Sequence, residues 1–111
     1  SESRKKEAEK ILEKSGIDLS KKLIVFCAGS TNSRAKRWQS KSYADLNDQL
    51  QGKLEANVIL IGDKSELDVS LEIVEKSIIK PVVLTGKTSL AESTAILSLS
   101  NLTISNDTGP A

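Results

Sequence analysis

Several residue types are absent or scarce in this chain, and each absence excludes a class of function. The 111 residues contain no histidine and only one cysteine, Cys27. Without histidine the chain has no histidine-dependent catalytic triad and no zinc or iron site that uses histidine. A single cysteine excludes an internal disulfide. The longest apolar runs, residues 23–28 and 58–61, are far shorter than the roughly 20 residues of a membrane-spanning helix.

Charge is balanced overall but uneven along the chain. Sixteen Lys and Arg against fifteen Asp and Glu give a net charge of +1, which attracts the protein neither to nucleic acid nor to a membrane. The charged first ten residues, with no apolar segment behind them, predict a cytoplasmic location. Residues 23–42 carry no acid but four cations, Arg34, Lys36, Arg37 and Lys41. With one aromatic residue nearby, Trp38, we do not expect this stretch to bind RNA.

Apolar periodicity predicts strands that alternate with helices. Strands are predicted at residues 23–28, 58–61, 82–84 and 102–105, and the first two are continuous apolar runs typical of strands buried on both faces. The first helix is predicted at residues 2–15 and stops at Gly16, and the second runs from Ser40 or Ser42 to Gly52. The third is predicted to start at Ser65, with Asp68 three residues on. Ser89 and Glu92 form an S-x-x-E capping box for the fourth, which runs to about Ser100. The apolar face of the third helix is predicted to consist of Leu67, Leu71, Val74 and Ile78.

This alternation predicts the fold class. Strands and helices of these lengths indicate a parallel sheet with helices on both faces. Right-handed connections then give a Rossmann-like α/β sheet of about four strands in the order 3-2-1-4. We therefore expect residues 1–111 to form a single domain.

The predicted topology also locates a candidate site. Such sheets bind ligands beyond the carboxyl ends of the strands, where the strand order reverses, here between strands 1 and 4. The loops predicted to leave these strands, residues 29–39 and 106–110, are polar and marked by glycine. Ser30 and Thr31 offer hydroxyls, Lys36 adds a positive charge, and a helix start at Pro110 would aim N–H groups at an anion. The pair of loops favours a phosphate or diphosphate, although each loop alone is also an ordinary connection.

Four motifs in order resemble a known family. They are AGST at 28–31 with AKRW at 35–38, LIG at 60–62 with Glu66, LTGKTSL at 84–90, and SNDTGP at 105–110. From about residue 20 to the end, the chain resembles the C-terminal half of the bacterial ADP-heptose:lipopolysaccharide heptosyltransferases, glycosyltransferase family 9. The resemblance implies one half of a GT-B fold, in which two Rossmann-like domains pair and the C-terminal one binds the nucleotide sugar.

The resemblance also implies a set of nucleotide-sugar-binding residues, with none for catalysis or for a metal. Ser30 and Thr31 resemble hydroxyls near the diphosphate, and Lys36 resembles the lysine that pairs with it. Glu66 resembles the acid that holds the ribose. The loop that meets the sugar and phosphates is represented by Asp107, Thr108 and Gly109.

By this resemblance the chain is the donor-binding part of an inverting glycosyltransferase of lipopolysaccharide core synthesis that needs no cofactor. Its implied partners are an ADP-sugar and, through an N-terminal acceptor domain missing here, the lipopolysaccharide core. Nucleic acid is not expected, and peripheral contact with the inner face of the inner membrane is expected only for the parent enzyme.

Two departures from the family bear on this interpretation. Gln39 stands where many relatives have proline, and the family continues beyond Ala111 into a further helix. Because the acceptor domain with its base is also missing, we expect a fragment that is inactive alone. A non-catalytic nucleotide-binding module and a Rossmann-like interaction module remain alternatives.

Overall fold

A computed structural model of the chain describes residues 2–27 and 33–105, except the side chains of residues 33–39. The elements in chain order are α1 (Glu2–Lys14), β1 (Leu23–Cys27), α2 (Ser33–Lys53), β2 (Asn57–Leu60), a 3-10 helix (Lys64–Glu66), α3 (Leu67–Lys76), β3 (Val82–Val83), α4 (Leu90–Leu99) and β4 (Leu102–Ser105).

All four strands form one parallel sheet in the order β3-β2-β1-β4, as predicted. β1 is central, with Leu23 opposite Asn57 of β2 and Ile24 opposite Leu102 of β4. Its first four residues are buried, which agrees with an apolar strand covered on both faces.

Helices cover both faces of the sheet, because the side chains of β1 alternate between two cores. Ile24 and Phe26 pack under α2 and α3, in a core that includes Ile73. Val25 points to the opposite face and packs under α1 and α4, with Leu12 and Ile96. Across the described residues, none of the helices combines the length and the apolarity that a bilayer crossing requires.

The start of α2 differs from the prediction. Residues 33–39 were predicted to belong to a loop that extends from residue 29, but they form the first two turns of the helix. Neither proline nor glycine interrupts residues 33–51, and the arginine, lysine, alanine and glutamine there are good helix formers. Ser40 is buried inside the helix instead of capping it. The polarity of these residues indicated a loop, whereas their helix propensity favours a helix.

The apolar face predicted for α3 is also wrong. The buried residues of this helix are Val69, Ser70 and Ile73, while Leu71 is 52% exposed and Ile78, beyond the end of the helix, is 85% exposed. The buried face includes a small polar residue because its hydroxyl is satisfied, since Ser70 Oγ lies 2.6 Å from Thr85 Oγ1. Burial of a hydrogen-bonded hydroxyl is well tolerated in a core.

Two helix ends are built as predicted. After α1, Gly16 has a φ of +90°, and the N–H groups of Gly16 and Ile17 donate to the carbonyls of Glu13 and Leu12, both at 3.0 Å. This is the Schellman arrangement that favours glycine. At α4, Ser89 and Glu92 form the predicted capping box.

Candidate functional site

The candidate site lies at the edge of the sheet where the parallel strands end. Cys27, the last residue of β1, stands opposite Ser105, the last residue of β4, and the strand order reverses between these two strands. In open α/β sheets this reversal is the usual ligand position.

Only part of the predicted site falls in the described part of the chain. Lys36 is placed in the first turn of α2, but its side chain is not described. Glu66 is described fully and ends the 3-10 helix after β2. The remaining predicted residues, Ser30, Thr31, Asp107, Thr108 and Gly109, lie outside the described residues.

Glu66 is held by a capping box that begins at Asp63. The Asp63 N–H donates to Glu66 Oε1 at 2.8 Å. In return, Asp63 Oδ2 accepts from the Ser65 hydroxyl at 2.8 Å and from the Ser65 N–H at 3.3 Å. The hydrogen bonds from the Ser65 side chain and backbone hold the pKa of Asp63 below its usual value, so this turn stays negatively charged at neutral pH.

The Glu66 carboxylate is partly buried and only one of its oxygens is used by the capping box. One of its oxygens is engaged by Asp63, and among the described residues Oε2 accepts no hydrogen bond. Burial and, to a smaller degree, the Glu66 carboxylate raise the pKa of the Cys27 thiol. A half-buried carboxylate with a free oxygen is suited to accept hydrogen bonds from ligand hydroxyls.

Two glycines allow the loops after β2 and β3 to approach each other. A Cβ at Gly62 would lie only 2.7 Å from Glu66 Oε1, and a Cβ at Gly86 would lie 3.0 Å from Lys64 Cα. Gly86 has a φ of +74°, and its N–H donates to the Gly62 carbonyl at 2.9 Å. The turn that carries Glu66 is therefore fixed by the neighbouring loop, in a conformation that larger residues would disturb.

A buried tyrosine lies under this edge on the α2 side. The Tyr43 ring packs on Phe26, with centroids 5.0 Å apart. Burial, with a smaller effect from Cys27, raises the pKa of Tyr43 to about 12, so the phenol is neutral at physiological pH. Within the described residues its buried hydroxyl has no hydrogen-bond partner.

The first turn of α2 is unusual among the helices of the chain. It contains no acidic residue, whereas the first turns of the other helices contain Glu2, Glu66, Asp68 and Glu92. The sequence instead places Arg34, Lys36 and Arg37 in the first two turns. Cations at a helix N-terminus repel the positive end of the helix dipole, and a bound anion would remove that repulsion.

Sequence reasoning missed two contributors to this site, Asp63 and Gly62. The D-x-x-E spacing of Asp63 and Glu66 is itself a capping-box signature, but Ser65 and Asp68 have the same spacing and were preferred as the helix start. Gly62 is part of the LIG motif at 60–62, and a glycine two residues after β2 is an indication of a sharp turn, but no role in holding Glu66 was predicted for it.

Comparison with known proteins identifies one family. The model of glycosyltransferase family 9 (heptosyltransferase) matches residues 1–111. No curated protein matches the chain significantly. Among solved structures, the crystal structure of the glycosyl transferase family 9 from Veillonella parvula DSM 2008 is similar, with a TM-score of 0.76 and 29% sequence identity over 99% of this chain. The chain covers 31% of that protein, less than a third of its length.

Proposed function

Because the chain belongs to glycosyltransferase family 9, we propose that it is the donor-binding half of an inverting heptosyltransferase of lipopolysaccharide core synthesis. The ligand in this proposal is a nucleotide sugar of the ADP-heptose type. The acceptor, the lipopolysaccharide core, binds to another domain of the complete enzyme, which acts in the cytoplasm at the inner face of the inner membrane and uses no cofactor.

The observation that carries the proposal is the start of α2. A helix that begins at the carboxyl edge with three cations in its first two turns and no acid in its first turn is stabilised by an anion placed at its N-terminus. A diphosphate is such an anion, and it is the part of the donor that departs during transfer. Lys36 is the cation that we assign to it, together with the hydroxyls of Ser30 and Thr31.

The other end of the donor is assigned to Glu66. The capping box leaves Oε2 available while it fixes the position of the carboxylate through Oε1. A ribose presents two neighbouring hydroxyls, which are donors to a carboxylate. The donor would then extend from the turn after β2, where its nucleoside lies, toward the loops after β1 and β4. Asp107, Thr108 and Gly109 are assigned to the sugar and phosphate end.

The chemistry divides between the two halves of the enzyme. Inverting transfer requires a base that deprotonates the acceptor hydroxyl and positive charge that stabilises the departing diphosphate. This chain supplies the second requirement through Lys36 and the amides at the start of α2. The base belongs to the acceptor half, so we expect the chain alone to transfer no heptose, and robust turnover by the purified chain would contradict the proposal.

The single cysteine offers a direct test of the site. Cys27 ends β1 and is partly exposed, so a thiol reagent should modify it slowly in the folded chain because its pKa is raised. We expect ADP to slow this modification further, while the unfolded chain should react at one rate with or without ADP. Equal rates for the folded chain with and without saturating ADP would contradict a donor site at this edge.

A further inference from the structure

Gly62, two residues after β2, is a glycine that its own backbone conformation does not require. Among the described residues, Gly16 and Gly86 have a positive φ, whereas Gly62 does not. Alanine could adopt such a conformation without strain, and it would lose less conformational freedom than glycine on folding. The reason for a glycine at this position therefore lies in its surroundings.

The Glu66 carboxylate occupies the space that a side chain at residue 62 would need. A Cβ at this position would lie 2.7 Å from Glu66 Oε1 and 3.5 Å from Glu66 Cδ. The first distance is repulsive, since even carbon atoms in favourable contact are about 3.5–4.0 Å apart. The same Oε1 accepts the hydrogen bond from the Asp63 N–H at 2.8 Å. Glycine thus leaves room for the carboxylate in the position that the capping box gives it.

The other neighbours of Gly62 are fixed, so an added methyl group would displace Glu66. Thr85 Cγ2 would lie at an ordinary contact distance of 3.5 Å from the new Cβ. Thr85 is buried, and its hydroxyl lies 2.6 Å from that of Ser70. The Gly62 carbonyl accepts a hydrogen bond from the Gly86 N–H at 2.9 Å. A partly exposed carboxylate at the end of a flexible side chain moves more easily than a packed interior does.

We propose that Gly62 is a positioning residue that makes the site selective for nucleotides with a complete ribose. This inference rests on the proposed function, in which Glu66 binds the ribose. Without a side chain at residue 62, the carboxylate stays where Oε2 can accept hydrogen bonds from the ribose hydroxyls. A site built to bind a hydroxyl rejects analogues that lack it, because its own polar group is then left unpaired. Displacement of the carboxylate would remove this selectivity, because hydrogen bonds weaken steeply with poor geometry.

The test is an NMR titration of the 111-residue chain with ADP and with 2′,3′-dideoxy-ADP, which lacks both ribose hydroxyls. The ratio of the two affinities is the ribose preference. In the original chain it should be about tenfold or more, as expected for a hydrogen bond to a charged group. In Gly62→Ala the preference should be nearly lost, while the affinity for 2′,3′-dideoxy-ADP stays unchanged. A substitution that only loosened the fold would weaken the binding of both ligands alike.

The matched control is Gly52→Ala, the same substitution near the end of α2. A Cβ at Gly52 would meet Ile79 Cδ1 at 3.5 Å, an ordinary contact. This variant should keep the ribose preference of the original chain.

Glu66→Gln tests the proposed function separately. Its amide oxygen can still accept from the Asp63 N–H, whereas its NH2 group replaces the free acceptor oxygen. The ribose preference should therefore fall. The double variant Gly62→Ala/Glu66→Gln should have no lower preference than Glu66→Gln alone, because both substitutions act on the same carboxylate.

Hydrogen exchange gives a measurement that needs no ligand. The protection factor of the Asp63 amide should fall in Gly62→Ala, because its acceptor has moved away, and should not change in Gly52→Ala. Unchanged protection of this amide would overturn the positioning role of Gly62. A Gly62→Ala chain that does not fold would do the same, since the methyl group would then have displaced the backbone instead of the carboxylate.

The ligand measurements distinguish a failure of this inference from a failure of the proposed function. A ribose preference that falls in Glu66→Gln but persists in Gly62→Ala would overturn the role of Gly62 alone. A chain without ribose preference, or one whose preference is the same in Glu66→Gln, would contradict the assignment of the ribose to Glu66 and this inference with it.

Discussion

Two helices start at the same edge of the sheet, and their first turns are built in opposite ways. α4 begins with a capping box in which Glu92 N–H donates to Ser89 Oγ at 3.1 Å and Ser89 N–H donates to Glu92 Oε1 at 2.8 Å. α2 begins with no acid in its first turn and with Arg34, Lys36 and Arg37 close behind. The first turn of α4 therefore carries an acid that faces its positive end, whereas the first turn of α2 carries none.

The largest expected effect concerns the cation assigned to the ligand. Lys36→Ala should weaken ADP binding by about 1.5–3 kcal/mol, the range for hydrogen bonds to charged groups. Arg34→Ala is the control on the same turn and should weaken binding clearly less. Isothermal calorimetry measures both, and equal losses would show that the basic residues act only as a diffuse field.

An acid added to the first turn of α2, as in α4, should make the chain more stable and its binding of ADP weaker. Ala35 is the third residue of α2, as Glu92 is the third residue of α4, so Ala35→Glu supplies the missing acid. The free energy of unfolding of the free chain should rise by about 0.3–1 kcal/mol, because the acid faces the positive helix end. Affinity for ADP should fall, since that acid competes with the diphosphate.

Urea unfolding and calorimetry on Ala35→Glu separate the two effects. Ala91→Glu is the control, because it adds the same acid to the first turn of α4, away from α2. It should leave ADP affinity unchanged. A variant at residue 35 that binds ADP as tightly as the original chain would contradict an anion site at the start of α2.

Removal of the N-cap of α4 should lower the stability of the chain and leave its binding of ADP intact. Ser89→Ala leaves the Glu92 N–H without its partner, and N-cap substitutions of this kind lower the free energy of unfolding by about 1 kcal/mol. ADP affinity should not change. Urea unfolding checks the first expectation, with Thr94→Ala, a hydroxyl removed within the same helix, as the control. Loss of ADP binding in Ser89→Ala would contradict the assignment of the ligand to α2, because it would indicate that ADP binds at the start of α4.

The smallest effect is expected at the turn that carries Glu66. The hydrogen bonds from Ser65 lower the pKa of Asp63 in the folded chain. A lowered folded-state pKa stabilises the fold above the unfolded pKa of about 3.9, and this contribution is lost as the pH falls through the folded value. Asp63→Asn should therefore be less stable than the original chain at neutral pH, with a gap that narrows in acid.

Urea unfolding at neutral and at acid pH measures this gap. The control is Asp45→Asn, because Asp45 is an exposed acid on α2, away from the turn. If the difference in unfolding free energy between the original chain and Asp63→Asn stays constant with pH, the ionised Asp63 carboxylate does not stabilise the turn.

The sequence predicted the framework of the fold because its evidence was local. The apolar runs of β1 and β2, the glycine after α1 and the S-x-x-E box of α4 each have one structural interpretation, and the strand order follows from right-handed connections. The start of α2 was not predictable in the same way. Its first two turns are polar, and polarity alone does not distinguish an exposed helical turn from a loop.

The orientation of α3 and the turn before it required the three-dimensional structure. Helix α3 has two possible apolar faces, one with Leu67 and Leu71 and one with Val69 and Ile73. The second face is buried, because it also carries Ser70, whose hydroxyl forms a hydrogen bond with that of Thr85, 15 residues away in sequence. Likewise, two pairs of residues have the spacing of a capping box, Ser65 with Asp68 and Asp63 with Glu66. The structure uses the second pair, whose Glu66 carboxylate lies close to the backbone of Gly62. Of the candidate site, the prediction for Glu66 named the residue but not the capping box that holds it.

The most direct test of the anion site is an amide NMR titration of the chain with ADP. We expect the largest shift changes at residues 33–36, at the start of α2, and at residues 62–66, around the Glu66 turn. Residues 89–92 at the start of α4 should stay unchanged, since the N–H groups of Ser89 and Glu92 already have partners within the capping box. Shifts confined to α4, or no shifts at millimolar ADP, would contradict the assignment of the start of α2 to a nucleoside diphosphate.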